Sequence, residues 1–284
     1  MIHIQNLNKT FTGTKALSEL SMSVAKGEMV ALIGASGSGK STLIRHMAGL
    51  VEGDKSSGSL RVGGELIQES GIISAKIRHI RRGIGVVFQG FNLVGRLNVE
   101  TNVMLGALAR APLWRSIIAK FGKVELQLAL EAMERVGILE TKGRRASTLS
   151  GGQRQRAAIA RALVQKALII LADEPIASLD PTSSHRVMEI LQTLNRESGL
   201  TVVVSLHQVE YAKKYCTRAI ALNAGKICYD GPSKGLSLEL MKDIYGGDLE
   251  DFQDKPEEPL GLQARRLSHL PPSLWGGDSP SSLS

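Results

Sequence analysis

Three stretches of the chain carry residue types and spacings that suit phosphate chemistry. The first is Gly34-Ala35-Ser36-Gly37-Ser38-Gly39-Lys40-Ser41-Thr42, directly after the apolar run Met29–Ile33. Its glycines let the backbone curl close to a ligand, so that successive N–H groups and the start of a following helix converge on phosphate oxygens. Lys40 adds a point charge for β and γ phosphates, and Ser41 a hydroxyl for a divalent cation. The second is Asp173-Glu174, which ends the apolar run 167–172. Two acids after a buried strand also describe an ordinary solvated strand end. Beside a phosphate loop they gain a role: Asp173 to hold Mg2+ through water, and Glu174 to deprotonate a water aimed at a γ phosphate. The third is Leu149-Ser150-Gly151-Gly152-Gln153, where Ser150 can cap a helix and Gly151 and Gly152 leave its first N–H groups open to an anion.

The elements that must position these groups read as alternating strands and helices. Met29–Ile33 is expected as a buried strand, and the segment from Lys40 as a helix burying Leu43, Ile44 and Met47. Before them, Ile2, Ile4 and Leu7, then Leu20, Met22 and Val24, alternate as antiparallel strands do. Phe11 lies between; it suits core packing or stacking on a base ring. A short strand at 60–62 and a Gly63-Gly64 turn precede a basic helix expected over 74–82, with Lys76, Arg78, Arg81 and Arg82 on a solvated face. A strand at 84–88 ends at Gln89.

From Asn98 the texture becomes helical, and Leu126, Leu130, Met133 and Val136 keep three-to-four spacing. Pro112 interrupts it beside Trp114, an aromatic suited to a core or to a partner-facing anchor. Strands return at 167–172 and Thr201–Ser205, the second followed by His207, which should emerge on the same sheet edge as Glu174. Between them a helix from Pro181 buries Val187, Ile190, Leu191 and Leu194; short strands near 219–222 and 226–229 and a helix at Leu238–Tyr245 follow. From Asp254 the composition is Pro, Ser and Gly without periodicity, which is expected to be disordered.

The 284 residues are 43% apolar and 22% charged, as in ordinary globular domains, with a net charge of +8. A basic balance suits nucleic acid or an anionic membrane surface equally well, but aromatics are only 4%, too few for a base-stacking platform. Cys216 and Cys228 have no metal or redox spacing and are expected as buried thiols in a reducing compartment. No run approaches the ~20 apolar residues that span a bilayer, and the N-terminus lacks a secretion pattern. A cytoplasmic protein is expected, with any membrane role through a partner.

The loop 34–42, Gln89 after a strand, residues 149–153, Asp173-Glu174, Ser178-Leu179-Asp180 and His207, in this order, together resemble the ATP-binding subunits of ABC transporters over roughly residues 1–245. The resemblance implies an α/β fold: a P-loop NTPase (RecA-like) core, an antiparallel β subdomain and an inserted α-helical subdomain at about 98–163. The nucleotide-binding domain would span 1–248, with a tail at 249–284. It implies ATP and Mg2+, with Gln89 touching the metal beside Ser41 and Asp173, His207 clamping the γ phosphate, and Phe11 stacking on adenine. It also implies a head-to-tail homodimer in which Ser150, Gly151, Gly152 and Gln153 of one chain contact the nucleotide held by Lys40 of the other, and Asp180 joins the two sites.

Finer likeness lies in the flanking residues. Gln89-Gly90-Phe91-Asn92-Leu93-Val94-Gly95-Arg96-Leu97, Asn102-Val103, Gly106-Ala107-Leu108, Trp114-Arg115, the run 172–181 and Leu206-His207-Gln208-Val209 resemble the phosphonate-import ATP-binding subunits. That likeness implies permease subunits, a periplasmic phosphonate-binding protein reached through them, and the cytoplasmic face of the inner membrane; nucleic acid is not an expected partner. Gly90 departs from the glutamine expected beside Gln89, and no counterpart in the family is expected for the residues after about 254. An importer for another solute, a soluble ABC-type ATPase acting on nucleic acid or ribosomes, and a subunit that binds ATP without turnover stay open at this point. Glu174 and His207 argue against the last.

Overall fold

The computed structural model describes residues 1–110 and 121–245. Two sheets share one hydrophobic core. The smaller is antiparallel, in the order β2-β1-β4-β5-β6: β1 (Ile2–Phe11), β2 (Thr14–Val24), β4 (Ser59–Val62), β5 (Glu65–Glu69) and β6 (Ile72–Ile73). The alternation read in the sequence sets its register, with Ile2 opposite Val24, Ile4 opposite Met22 and Leu7 opposite Leu20, all six facing inward.

The larger sheet has the order β11-β10-β3-β9-β8-β7: β3 (Met29–Ile33), β7 (Ile84–Val87), β8 (Ile169–Ala172), β9 (Thr201–Ser205), β10 (Arg218–Asn223) and β11 (Lys226–Pro232). Every pairing is parallel except the edge strand β11. Strands β3, β8 and β9 are buried along their whole length, as apolar strands covered on both faces must be. Helix α1 (Lys40–Met47) packs between the sheets against β2, β4 and β8, and Leu43, Ile44 and Met47 are fully buried there. The register sets Leu32 opposite Ser205, Ala172 opposite Val204 and Val87 opposite Ala172. The loops that follow β3, β7, β8 and β9 therefore leave from one edge.

Helix α2 is Ile77–Ile80. The helical segment comprises α3 (Val99–Met104), α4 (Lys123–Arg135) and α5 (Gly151–Val164), packed on one another. Helix α6 (Pro181–Ser198) covers β9; it starts with Asp180 as N-cap, accepting from Ser183 N at 2.9 Å, has Pro181 in its first turn, and ends at Gly199 with φ 61°. Helices α7 (Val209–Tyr215) and α8 (Leu238–Tyr245) complete the described chain.

Four expectations need correction. The basic helix over 74–82 is only α2 followed by a 3-10 turn at Arg81–Gly83, because Ser74 heads a turn, its carbonyl accepting from Ile77 N at 3.0 Å, that delays the helix to Ile77. Leu126 does not face the core: it is exposed, and α4 buries Ala129, Ala132 and Met133, with Val136 just past its end. Leu168 lies outside β8 and is exposed. Cys216 is buried, which pushes its thiol up to about 12, but Cys228 sits on the edge strand β11 and is exposed. Trp114 and the segment after 245 lie outside the described residues.

His46, on α1, is wholly buried; its Nδ1 lies 2.7 Å from Gln68 Nε2, and among the described residues its Nε2 has no hydrogen-bond partner. Burial, aided by the charge of Lys9, lowers its pKa from 6.5 to about 4. The unfolded chain takes up this proton near 6.5 and the folded chain only near 4, so acid favours unfolding across that window and the stability is fully present above it. Urea unfolding at pH 7.5 and 4.5 is expected to show a loss on the order of 3 kcal/mol from this group, and His46→Leu is expected to flatten that part of the pH dependence.

Candidate functional site

The loop between β3 and α1 is shaped by its glycines. Gly34 (φ 143°) and Gly39 (φ 108°) hold conformations that side chains rarely adopt, and a Cβ on either would strike backbone, at the Leu222 and Ala16 carbonyls respectively. Gly37 has φ 78° with open space around it. Ser36 and Gly37 are exposed at the loop's tip and Ala35 is half-buried, whereas Ser38, Gly39 and Lys40 are buried beneath it. Ser38 Oγ is buried and, among the described residues, unpartnered, so the cradle contains a polar atom that a phosphate oxygen would satisfy. Lys40 Nζ donates to the carbonyls of Gly34 (2.7 Å) and Ala35 (3.0 Å). Burial lowers the pKa of this ammonium, and the charges of Glu174 and Asp173 oppose that shift. Thr42 follows in the first turn of α1 and is half-buried.

Asp173, one residue past β8, is the point on which neighbouring elements converge. Its Oδ1 accepts from Ser41 Oγ at 2.8 Å and from Ser205 Oγ at 2.9 Å, while Ser205 Oγ itself accepts from Glu174 N at 2.8 Å. The backbone N–H of Asp173 donates to Val87 O at 2.8 Å. Glu174 has φ 49°, a costly conformation for a residue with a Cβ, held by these bonds. His207 Nε2 lies 2.7 Å from Glu174 Oε1; a carboxylate only accepts, so this nitrogen carries the proton. The sequence placed Glu174 and His207 on one edge, and the structure brings them into contact. Gln89 lies two residues past β7 with its side chain exposed on that same edge.

At the start of α5, Ser150 Oγ accepts from Gln153 N at 3.2 Å and Gln153 Oε1 from Ser150 N at 3.0 Å, a reciprocal cap. Gly151 and Gly152 supply the first N–H groups of the helix, which have no partner within it. A Cβ at Gly151 would crowd Leu179 and one at Gly152 would crowd Ser183, so the starts of α5 and α6 lie against each other. Ser150 and Asp180 are both exposed on that surface, and hydrogen bonds from Ser183 hold the Asp180 carboxyl below its ordinary range. Phe11 is also exposed, at the tip of the β1–β2 hairpin with Lys9 Nζ 4.9 Å from its ring centroid, and the same hairpin's Ala16 and Leu17 lie against Gly39.

Three residues to which sequence reasoning gave no role tie the loop after Gln89 in place. Asn102, wholly buried on α3, accepts from Val94 N at 2.7 Å and donates to Val94 O at 3.1 Å and Asn98 O at 2.9 Å. Arg161 on α5 donates to Asn92 O at 2.6 Å, and the Arg154 guanidinium lies 4.8 Å from the Phe91 ring centroid. Phe91 and Asn92 both have positive φ, which sequence reading could not foresee because neither is glycine.

A phosphate cradle, an aspartate node and a carboxylate–imidazole pair on the C-terminal edge of a parallel sheet define a nucleotide-dependent α/β hydrolase. The chain matches the family model for ABC transporters over residues 17–177. It is 56% identical to a phosphonates import ATP-binding protein of Pseudomonas syringae pv. syringae, over 88% of this chain and 90% of that one. To one of Stutzerimonas stutzeri it is 54% identical, over 92% and 97%. Among solved structures, a dimeric ATP-binding cassette in a post-hydrolysis state bound to ADP and Pi superposes with a TM-score of 0.72 at 32% identity, covering 83% of this chain and all of that one. A component of an ABC transporter complex from Clostridium perfringens superposes at 0.70 and 29% identity, over 85% and 90%. The chain belongs to the ABC transporter family. It is an ATP-binding subunit whose ATP hydrolysis is coupled to transport. Among the described residues no helix is long and apolar enough to cross a membrane.

Gly34→Ala sets a side chain against a fixed carbonyl, so it is expected to weaken binding of a fluorescent ATP analogue by about tenfold or more. Gly37→Ala, which meets only open space, is expected to lose clearly less in the same titration.

Proposed function

We propose that this chain powers phosphonate import, as a homodimer beneath membrane permease subunits fed by a periplasmic phosphonate-binding protein, at the cytoplasmic face of the inner membrane. Its identity with phosphonates import ATP-binding proteins over nearly the full length supports the substrate class. The single observation that carries the chemistry is the pair Glu174 and His207, 2.7 Å apart and beside the Asp173 node. The nucleotide-binding domain is assigned to 1–248, its helical subdomain to about 98–163, and the tail to 249–284.

In this reading the N–H groups of residues 34–42 and the Lys40 ammonium hold the β and γ phosphates, and Phe11 covers the adenine. Ser41, Asp173 and Gln89 would hold Mg2+: hydroxyl, carboxylate and amide oxygens are the hard donors that ion prefers, and two of them already meet at 2.8 Å. When bound, the ion neutralises charge on the phosphate oxygens. Glu174 takes the proton of the attacking water, and His207, which gives its Nε2 N–H to Glu174 here, would turn that N–H to the γ phosphate once ATP is bound. Ser150, Gly151, Gly152 and Gln153 of a second copy present a helix start, exposed at Ser150, to that γ phosphate, with Asp180 beside them.

The test uses inverted membrane vesicles containing the chain, its permease and the binding protein. Phosphonate is expected to raise ATP hydrolysis severalfold, and Glu174→Gln to lower the stimulated rate by about a hundredfold or more. Stimulation by another solute and not by phosphonate would reject the substrate class; full hydrolysis by Glu174→Gln would reject the base.

A further inference from the structure

The last described residue, Tyr245, reaches the catalytic edge from the far end of the chain. It ends α8, a helix that packs on β10 through the buried side chains of Met241 and Ile244. Gly34 is buried just beyond the last paired positions of β3, which are Ile33 opposite Ala221 and Leu32 opposite Ser205. Its N–H thus needs a partner from outside the sheet. Tyr245 supplies one: Gly34 N donates to Tyr245 Oη at 3.0 Å. The Tyr245 hydroxyl in turn donates to the His207 carbonyl at 3.4 Å.

We propose that Tyr245 is a positioning residue for ATP hydrolysis, its hydroxyl joining the first residue of the phosphate loop to the backbone of His207. The histidine is then fixed at two points, its ring by Glu174 and its peptide by Tyr245, and the second is referenced directly to the loop that holds the phosphates. The hydroxyl is partly buried, and desolvation pushes it up to about 12, so it stays protonated and able to donate throughout the working pH range. Tyr245→Phe keeps the ring that packs but leaves a buried N–H without a partner and the His207 peptide untethered. The inference rests on the reading of His207 as a γ-phosphate contact. Because ADP has no γ phosphate, a residue acting through His207 affects turnover and leaves ADP affinity alone.

The experiment measures steady-state ATP hydrolysis, ADP affinity and thermal midpoint for the full-length chain, Tyr245→Phe, His207→Ala and the double variant. Leu238→Ala, on the exposed side of the same helix, serves as the control and is expected to match the parent. Tyr245→Phe is expected to lower kcat about tenfold while KM for ATP and ADP affinity stay near the parent values; the orphaned Gly34 N–H is expected to lower the thermal midpoint by a few degrees. In the His207→Ala background the same change is expected to cost less than about twofold, since the two act as one unit. An unchanged kcat, an ADP affinity that falls in step with kcat, or a full tenfold loss in the His207→Ala background would each overturn the proposal. Parent-like turnover by His207→Ala would instead sink the underlying reading of that histidine, and the inference with it.

Discussion

The structure depends on one oxygen. Asp173 Oδ1 accepts from the hydroxyl of Ser41, at the start of α1, and from that of Ser205, at the end of β9. Ser205 ends β9, Asp173 follows β8 and Ser41 lies at the start of the helix that follows β3, and they meet because the parallel registers of β3, β8 and β9 finish level with one another. A one-residue slip of β8 or β9 would turn Asp173 or Ser205 away from this meeting point. The same serine that bonds Asp173 also accepts from Glu174 N, so the node fixes the strained backbone of the neighbouring glutamate and with it the carboxylate that meets His207.

Around this rigid centre the other functional groups are carried by segments fastened at few points. The loop after Gln89 is tied to the helical segment by Asn102, Arg161 and Arg154, and α5 presents Ser150 at its far end. A single helix therefore holds both the loop that follows Gln89 and the surface proposed to meet a second nucleotide. Movement of α5 relative to the main sheet would displace the two together, which gives a mechanical link between ATP binding and whatever docks on the helical segment.

Much of this was legible in the sequence. The glycine loop, the acidic pair, His207 and the capped start of α5 are each set by local residue order, and the apolar runs of β3, β8 and β9 state that they are central strands. What was hidden arises from contacts distant in sequence. Arg161 reads as one more charge on a helix until the loop 91–92 is folded beneath it, and Asn102 reads as an ordinary polar residue until four backbone groups surround it. Tyr245 reads as a helix end; its partner is 211 positions away in the chain. Strand β5 escaped because one of its two buried side chains, Gln68, is polar and its ends are Glu65 and Glu69, which leaves little apolar signal, and Leu126 was misplaced because three-to-four spacing fixes a face but not which face wins when alanines pack closer.

The central claim is that one chain holds half of a site and a second copy completes it through Ser150. Sedimentation of the Glu174→Gln chain with ATP tests this most directly, because that variant is expected to bind ATP and not consume it. The account predicts an ATP-dependent dimer, which an added Ser150→Phe abolishes without weakening ATP binding, as Ser150 is exposed and a large side chain there obstructs only a partner. A chain that binds ATP and stays monomeric, or a dimer indifferent to Ser150→Phe, would contradict it.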